Sequence, residues 1–382
     1  MGKWQEYKLE ELGLLQRGRS RHRPRYAFHL YGGRYPFIQT GEIREARKYI
    51  TKFEQTYNEE GLEQSKLWPK GTLCITIAAN IAELAILSFD ACFPDSVLGF
   101  IPNDQLADLN FIYYTLIFFQ KELKHVGEGS VQDNINLGTF QNVLFPIPSL
   151  PEQKAIASVL SSLDDKIDLL HRQNKTFEAM AETLFRQWFV EEAKEDWEEG
   201  VLGDVIEIFD HLRIPLSKME RDKKKDGQLF PYYGAASVMD YINDYIFDGE
   251  YILLGEDGTV RTNEGYPILQ YTTGKFWVNN HTHVIKAKTP YSNFFLWNYL
   301  RKKNIDEIVT GAVQPKINQG NLKSLGFPKF PEDLVTAFNK QMGSFFKKIN
   351  KNQAQILTLK KLLDTLLPRL MSGEIRVAYY ES

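Results

Sequence analysis

Residues 151–191 read PEQKAIASVLSSLDDKIDLLHRQNKTFEAMAETLFRQWFVE. In this stretch Ile156, Leu160, Leu163, Ile167, Leu170, Asn174, Phe177, Ala181, Leu184 and Trp188 fall at alternating steps of four and three. Those steps make an unbroken a/d heptad seam of about 33 residues, roughly 50 Å of helix at ~1.5 Å per residue. Neither Pro nor Gly occurs between residues 152 and 192, so nothing interrupts the helical hydrogen bonds. A two-heptad pattern would read as an ordinary core helix. Ten consecutive seam positions read as one strand of a coiled coil.

The partner strand lies in the same chain. Phe338, Met342, Phe345, Ile349, Asn352, Ile356, Leu359, Leu363, Leu366 and Leu370 repeat the pattern, each 182 residues after its counterpart. Each seam carries one Asn at an otherwise apolar position. A buried Asn costs stability unless it meets a polar partner, and it fixes register when it does. Pairing Asn174 with Asn352 in an antiparallel sense makes the residue numbers of every layer sum to 526. Ile156 then meets Leu370, Leu163 meets Leu363, Phe177 meets Ile349 and Trp188 meets Phe338. A parallel pairing would force residues 191–331 to span the whole rod to return to the same end. The sequence therefore predicts an antiparallel intramolecular coiled coil. In such a pair, Asn174→Leu alone should raise or barely change stability while loosening register.

Around this seam the composition is that of a folded, soluble protein of two or three domains: 382 residues, 43% hydrophobic and 25% charged. Cys74 and Cys92 are too few for a disulfide framework or a metal cluster, which fits a reducing cytoplasm. The polar N-terminus, residues 3–11, is unlike a signal peptide. The most apolar stretches, 73–87 and 111–119, are too short to span a bilayer, so no membrane association is expected. A net charge of −3 argues against a uniformly basic nucleic-acid binder but leaves room for local basic patches.

The repeat extends beyond the helices. Trp4 opens a short strand-like segment to Leu12, and Trp197 opens its counterpart to Val205. A Pro-aromatic step follows, Tyr35-Pro36-Phe37-Ile38 in one half and Phe230-Pro231-Tyr232-Tyr233 in the other. Late in each half a ten-residue motif recurs, GSVQDNINLG at 129–138 and GAVQPKINQG at 311–320. Pro-containing segments, 146–151 and 328–331, lead into each helix. The middles of the two modules resemble each other little. Short strands are predicted at 34–39, 73–78 and 97–101, with a helix near 109–124. The second module should hold strands at 251–254, 267–271 and 283–287 and a helix near 293–303. Ser372-Gly373 should stop the second long helix, with a short strand at 374–379 after it. The fold class is α+β: two mixed globular domains, two long helices between them, and a pseudo-two-fold internal repeat.

Several catalytic readings fail. The chain has no Gly-Lys-Ser or Gly-Lys-Thr phosphate loop and no Pro-Pro pair of the kind used to grip an exocyclic amine. Asp95 with Glu122 and Lys124 imitates a nuclease carboxylate set, but Glu122 and Lys124 read as a solvated helix end. His281 and His283 would share one face of a strand, yet no further ligands are evident near them, so no metal site is assigned.

Binding signals are stronger. Arg17, Arg19, Arg21, Arg23 and Arg25 alternate through a nine-residue loop that also holds His22 and Pro24. Five guanidiniums on one loop repel one another unless anions neutralise them, and phosphates or guanine edges suit their fork geometry. A mobile solvated loop is the plain alternative. The corresponding place in the second half carries Arg213, Lys218, Arg221, Lys223, Lys224 and Lys225. Gln39, Thr40 and Glu42 after the Pro-aromatic step, like Ser237 in the second half, are placed either to read base edges or to cap turns.

Residues 149–167 (SLPEQKAIASVLSSLDDKI) and 181–189 (AETLFRQWF) resemble the central conserved region of the specificity subunits of type I restriction–modification enzymes. Residues 35–42 (YPFIQTGE) are similar to a recurring segment of that family's target recognition domains, and 370–377 (LMSGEIRV) to its C-terminal end. The second half departs more, with Tyr232-Tyr233-Gly234-Ala235 and Pro331-Glu332-Asp333 in the matching places.

The resemblance implies target recognition domains at 1–150 and 192–330, conserved long helices at 151–191 and 331–371, and a tail at 372–382. It implies a protein that does no chemistry itself. Each recognition domain would read one half of a bipartite site in double-stranded DNA. The coiled coil, with its register fixed by Asn174 and Asn352, would set the spacer. Two modification subunits would dock on the chain, bringing S-adenosylmethionine to methylate adenine. Restriction subunits would add ATP- and Mg²⁺-dependent cleavage, and the chain itself would hold no cofactor. Rival readings are a fused methyltransferase or nuclease, which the missing motifs oppose, and a two-module protein scaffold, which predicts no DNA sequence preference.

Overall fold

The computed structural model describes residues 4–21, 27–78, 82–128, 143–192, 197–311 and 313–378, without the side chains of residues 122 and 124–128. Arg23, Arg25 and the first copy of the repeated ten-residue motif lie outside the described residues. The chain divides into two compact units, Met1–Leu169 with Ile356–Ser382, and Leu170–Gln355. Both long helices, α4 (Leu150–Arg186) and α9 (Glu332–Met371), contribute to each unit.

In the first unit, β1 (Gln5–Lys8) pairs antiparallel with β11 (Leu144–Ile147). A five-stranded sheet has the order β2 (Gly13–Arg17), β10 (Val97–Pro102), β7 (Leu73–Thr76), β8 (Leu84–Leu87), β4 (Tyr49–Ile50). A four-stranded sheet has the order β5 (Gln55–Tyr57), β3 (Tyr31–Phe37), β9 (Ala91–Cys92), β6 (Leu67–Trp68). The run Leu73-Cys74-Ile75-Thr76 is buried on both faces, which is why it reads as a continuous apolar stretch with no alternation. The helix near 109–124 is α3 (Leu109–Glu128); its Phe111, Ile112, Tyr114 and Leu116 join the core that also takes in Ile156, Leu160 and Leu370. One polar cluster ties this module to α4. Lys48, 5% exposed, donates to Ser161 Oγ at 2.9 Å and to Tyr114 OH at 3.3 Å, and Tyr114 donates to Asp164 Oδ2 at 2.5 Å. Burial lowers the Lys48 pKa and raises that of Asp164.

The second unit repeats the pairing scheme. Strand β12 (Glu199–Val201) pairs antiparallel with β19 (Gly326–Pro328). A six-stranded sheet runs β13 (Ile206–Ile208), β18 (Thr282–Ala287), β16 (Phe247–Gly255), β17 (Leu269–Val278), β14 (Phe230–Tyr233), β15 (Val238–Ile242). Each Pro-aromatic step becomes a strand with one antiparallel and one parallel neighbour: β3 lies between β5 and β9, and β14 between β15 and β17. The modules that resemble each other little in sequence therefore share a strand-pairing plan. The strand expected at 251–254 extends over all of β16, and the one expected at 267–271 begins at Leu269 and runs on to Val278. Gly249 faces Gly274 in the β16–β17 ladder, where side-chain periodicity gives no signal.

The antiparallel helix pair is present within each unit. In the first, Ile156 and Leu160 of α4 share a core with Leu370 and Met371 of α9, and Leu363 and Leu366 pack against it. In the second, Asn352 Nδ2 donates to Asn174 Oδ1 at 2.8 Å, and Trp188 meets Phe338 edge-on at 6.1 Å. Phe177 stacks on Phe345 at 5.5 Å, one turn along α9 from the Ile349 expected as its layer partner. At its C-terminal end α4 turns off the predicted seam. Phe185 and Phe189 are buried, whereas Leu184 and Trp188 are only partly so. Residues Gln187–Glu191 form a π-turn, which shifts the helical phase and aims Phe189 at Phe295, Phe330 and Phe338.

Helix α9 ends as anticipated: Gly373 adopts φ +73° and its N–H bonds Leu370 O at 3.2 Å. The strand expected at 374–379 does not form among the described residues. Instead Arg376 pairs with Glu152 at 2.6 Å, and Ile375 and Val377 pack on the first core. No helix among the described residues is long and apolar enough to cross a membrane.

Candidate nucleic-acid interface

The strand pairings bring the start of the arginine loop and Gln39 to one rim of the first module, and Arg213 to the matching rim of the second. In the first unit, Gly18 N–H bonds Val97 O (2.8 Å), Arg19 N–H bonds Phe93 O (3.1 Å) and Ile38 N–H bonds Cys92 O (2.8 Å). The end of β2, which starts the arginine loop, and the end of β3, which leads to Gln39 and Thr40, therefore meet beside the start of β10. In the second unit, Phe209 N–H bonds Val284 O, Asn279 N–H bonds Tyr233 O and Glu256 N–H bonds His281 O. The ends of β13, β14 and β16 meet the start of β18 in the same way.

The arginines of the first rim differ in role. Arg17 and Arg21 are exposed, and their side chains make no ion pair among the described residues. Arg19 turns inward, with its guanidinium donating to Ser65 O and to Glu63 O. Gln39 and Glu42 brace the start of α1 (Thr40–Glu45). Gln39 N–H donates to Glu42 Oε2 at 3.1 Å, and Gln39 Nε2 donates to Gln55 Oε1 at 2.9 Å. Thr40, partly buried, is the first residue of that helix. Sequence reading did not single out two further residues of this module. Lys66 lies 3.7 Å from the Trp68 ring centroid, and Phe28 is 94% exposed.

In the second module most of the basic residues are engaged internally. Arg213 Nη1 donates to Glu256 Oε2 at 2.5 Å and to Thr282 O at 2.7 Å, and its Nη2 lies 3.6 Å from Asp210. Arg221 pairs with Asp240 at 2.9 Å, Lys224 with Asp244 at 2.8 Å, and Lys225 with Asp240. The hydrogen bond from Lys225, with a further one from Arg221, holds the Asp240 carboxyl down to about 2. Lys218 and Lys223 are exposed and make no ion pair among the described residues.

The histidines also separate. His281 lies before β18 with its ring half-exposed, 3.6 Å from Asp257. His283 is 0% exposed; the fold brings it together with Asp210 and Glu256, which sequence reading did not connect to it. Its Nε2 donates to Ile317 O at 2.8 Å, and its Nδ1 lies 2.6 Å from Asp210 Oδ2. Both ring nitrogens thus face oxygen atoms of the fold. Gln319 Nε2 and Val284 N–H also donate to Asp210. Burial alone would raise the Asp210 pKa, but the His283 and Val284 hydrogen bonds and the Arg213 charge outweigh it and hold the carboxyl low. Arg213 is the cation that faces these carboxylates, and His283 hydrogen-bonds Asp210. As for the nuclease-like set, Asp95 sits in the turn between β9 and β10, while the side chains of Glu122 and Lys124 lie outside the described residues.

The family described as type I restriction modification DNA specificity domain matches residues 1–179 and again residues 194–365. The chain belongs to this family. Both of its specificity domains are accounted for, one match for each half of the repeat. The type I restriction enzyme MjaIX specificity subunit of Methanocaldococcus jannaschii is 27% identical over 387 aligned residues, covering 91% of this chain and 88% of the relative. A putative type I restriction enzyme specificity subunit of Haemophilus influenzae, S.HindORF215P, is 33% identical over 156 residues, 41% of this chain and 38% of the relative. In fold, the specificity-family chain matches the crystal structure of the type I restriction-modification system S subunit from M. genitalium. The TM-score is 0.63 at 17% identity, with 99% of this chain and 96% of that one covered.

Proposed function

We propose that this chain reads the two halves of a split, asymmetric sequence in double-stranded DNA, one half with each module, for a type I restriction–modification assembly. One observation carries the proposal. The two modules share a strand-pairing plan but present different charged connections at corresponding rims. A common scaffold with unlike reading surfaces suits a bipartite target whose halves differ. Exposed Arg17, Arg21, Lys218 and Lys223 supply phosphate-seeking charge, and phosphate contacts fix a reader on DNA before bases are discriminated.

The long helices act as the spacer ruler and, with the modules, as docking surface for two modification subunits. Those partners bring the S-adenosylmethionine and the adenine-methylating chemistry, and restriction subunits bring ATP- and Mg²⁺-dependent cleavage. The chain itself is a non-catalytic cytoplasmic subunit. Replacing residues 1–145 with those of a relative should change one half of the methylated sequence in the host genome, mapped by single-molecule sequencing. A change in both halves would end the modular reading. Deleting one heptad from each helix, about 10 Å of rise, should shorten the tolerated spacer. An unchanged spacer would remove the ruler role.

A further inference from the structure

The motif Gly-x-Val-Gln-x-x-Ile-Asn-x-Gly occurs at 129–138 and at 311–320. In the second copy most of the shared residues have work inside the fold. Gly311 adopts φ +86°, and a Cβ there would lie 2.3 Å from Gln314 O, so glycine is required. Gln314 Nε2 donates to Asp257 Oδ1 at 2.7 Å. Ile317 is 0% exposed and its N–H bonds Glu256 O at 2.9 Å. Asn318 caps helix α8 (Gln319–Ser324), its Oδ1 accepting from Asn321 N–H at 2.8 Å. Val313 has no such role, being 99% exposed.

A lone exposed valine is ordinary on a protein surface. This one stands at a motif position that is also valine in the sequence of the first copy, within a repeat whose surroundings diverge. Its turn is braced as well: Thr310 and Lys316 exchange both backbone hydrogen bonds, at 2.8 and 2.7 Å, and Gly258 N–H bonds Pro315 O at 3.0 Å. An apolar side chain is thus held out in water on a supported turn.

The surrounding charge narrows what covers it. Glu256 is bound by Arg213, and Asp257 by Gln314 and His281. Lys316 is exposed and makes no ion pair or side-chain hydrogen bond among the described residues. Within the turn itself, residues 310–316, the charged side chain is Lys316, a cation, while Asp257 behind it keeps its charge against the neutral Gln314 amide. The turn also lies on the rim described above, through Glu256 and Asp257 at the end of β16.

We propose that the turn Thr310–Lys316 makes a sequence-neutral DNA contact, with Val313 packed on deoxyribose at a groove edge and Lys316 on a neighbouring phosphate. Two modules reading different half-sites have in common what every half-site offers, its sugar–phosphate frame. The proposal rests on the DNA-reading role above.

The test uses the full-length chain and two fluorescein-labelled duplexes, one carrying the site mapped by methylation and one scrambled, titrated across a salt series. Val313→Ala should weaken binding to both duplexes by the same factor, about threefold to tenfold, with an unchanged salt slope and melting temperature. Lys316→Gln should lower the log–log salt slope by about one. Unchanged affinity of Val313→Ala for both duplexes, or a loss confined to one, overturns the contact. So does intact DNA binding with weakened retention of the modification subunit, which would make the turn a protein-binding one. A wild-type chain that retains neither duplex overturns this proposal and the DNA-reading role together. A wild-type chain that binds, with a silent Val313→Ala, overturns only the turn.

Discussion

Asn352 donates its amide hydrogen to Asn174 across 2.8 Å, and among the described residues its other acceptor is Gln173 Oε1 at 3.3 Å. Asn352 is 1% exposed and Asn174 7% exposed, so each is the other's main replacement for water.

Asn174→Leu alone therefore strands a buried amide and should cost about 1–3 kcal/mol in urea unfolding. Sequence alone suggested a nearly neutral change; the burial of Asn352 reverses that expectation. The double change Asn174→Leu with Asn352→Leu should be neutral or stabilising while relaxing register. Register is read by whether a disulfide engineered one heptad out of step now forms. Equal stability of the single and double variants would refute the pair.

The cluster of Asp210, Arg213, Glu256 and His283 should behave as one ionic unit. Arg213→Gln leaves buried Asp210 and partly buried Glu256 without their guanidinium and should destabilise by about 3–5 kcal/mol. A loss of DNA affinity with an unchanged melting temperature would contradict this.

The same cluster fixes an acid limit. The folded Asp210 carboxyl takes up its proton at a lower pH than in the unfolded chain, where the value is about 3.9. Its contribution is present above about pH 4 and is lost as the pH falls through the folded value. Melting temperature should drop below about pH 4, and the drop should be smaller in Asp210→Asn, which starts from a lower plateau. Superimposable pH profiles would count against the assignment.

Lys48 is held by Ser161 and Tyr114, both polar groups at the α4 contact. Lys48→Met should be nearly neutral, because the burial penalty of the ammonium goes with it. Lys48→Ala should cost about 2–3 kcal/mol through the cavity it leaves. If Lys48→Met is as damaging as Lys48→Ala, the charge itself matters more than the packing.

The rim arginines should split by role. Arg17→Gln and Arg21→Gln should each lower the salt slope of DNA binding by about one, with the melting temperature unchanged. Arg221→Gln should instead lower the melting temperature, since it breaks the Asp240 contact at 2.9 Å. Identical behaviour of all three would erase the distinction.

The long helices and their sense were legible because a heptad seam is a local, repeating signal, and the Asn pair selects one alignment of the two. The shared strand plan was not. Strands such as β9 (Ala91–Cys92) have two residues, too few for any period, and gain their place from neighbours. The arginine loop was visible as charge. The division between exposed Arg17 and inward Arg19 depends on Ser65, 46 residues away. Asp210 and His283, 73 residues apart, carried no mutual signal at all. The motif around Val313 was noticed as a repeat. Its meaning emerged only when burial showed which of its residues the fold uses.

The shared strand-pairing plan has a consequence for how such a protein changes. Hydrogen-bond ladders carry the architecture, and connections carry the vocabulary. Mutation, or exchange of a whole half, can therefore rewrite the message while the grammar of pairing stays intact. Under the proposed DNA-reading role, a lineage equipped this way acquires new tastes in DNA without having to learn again how to fold.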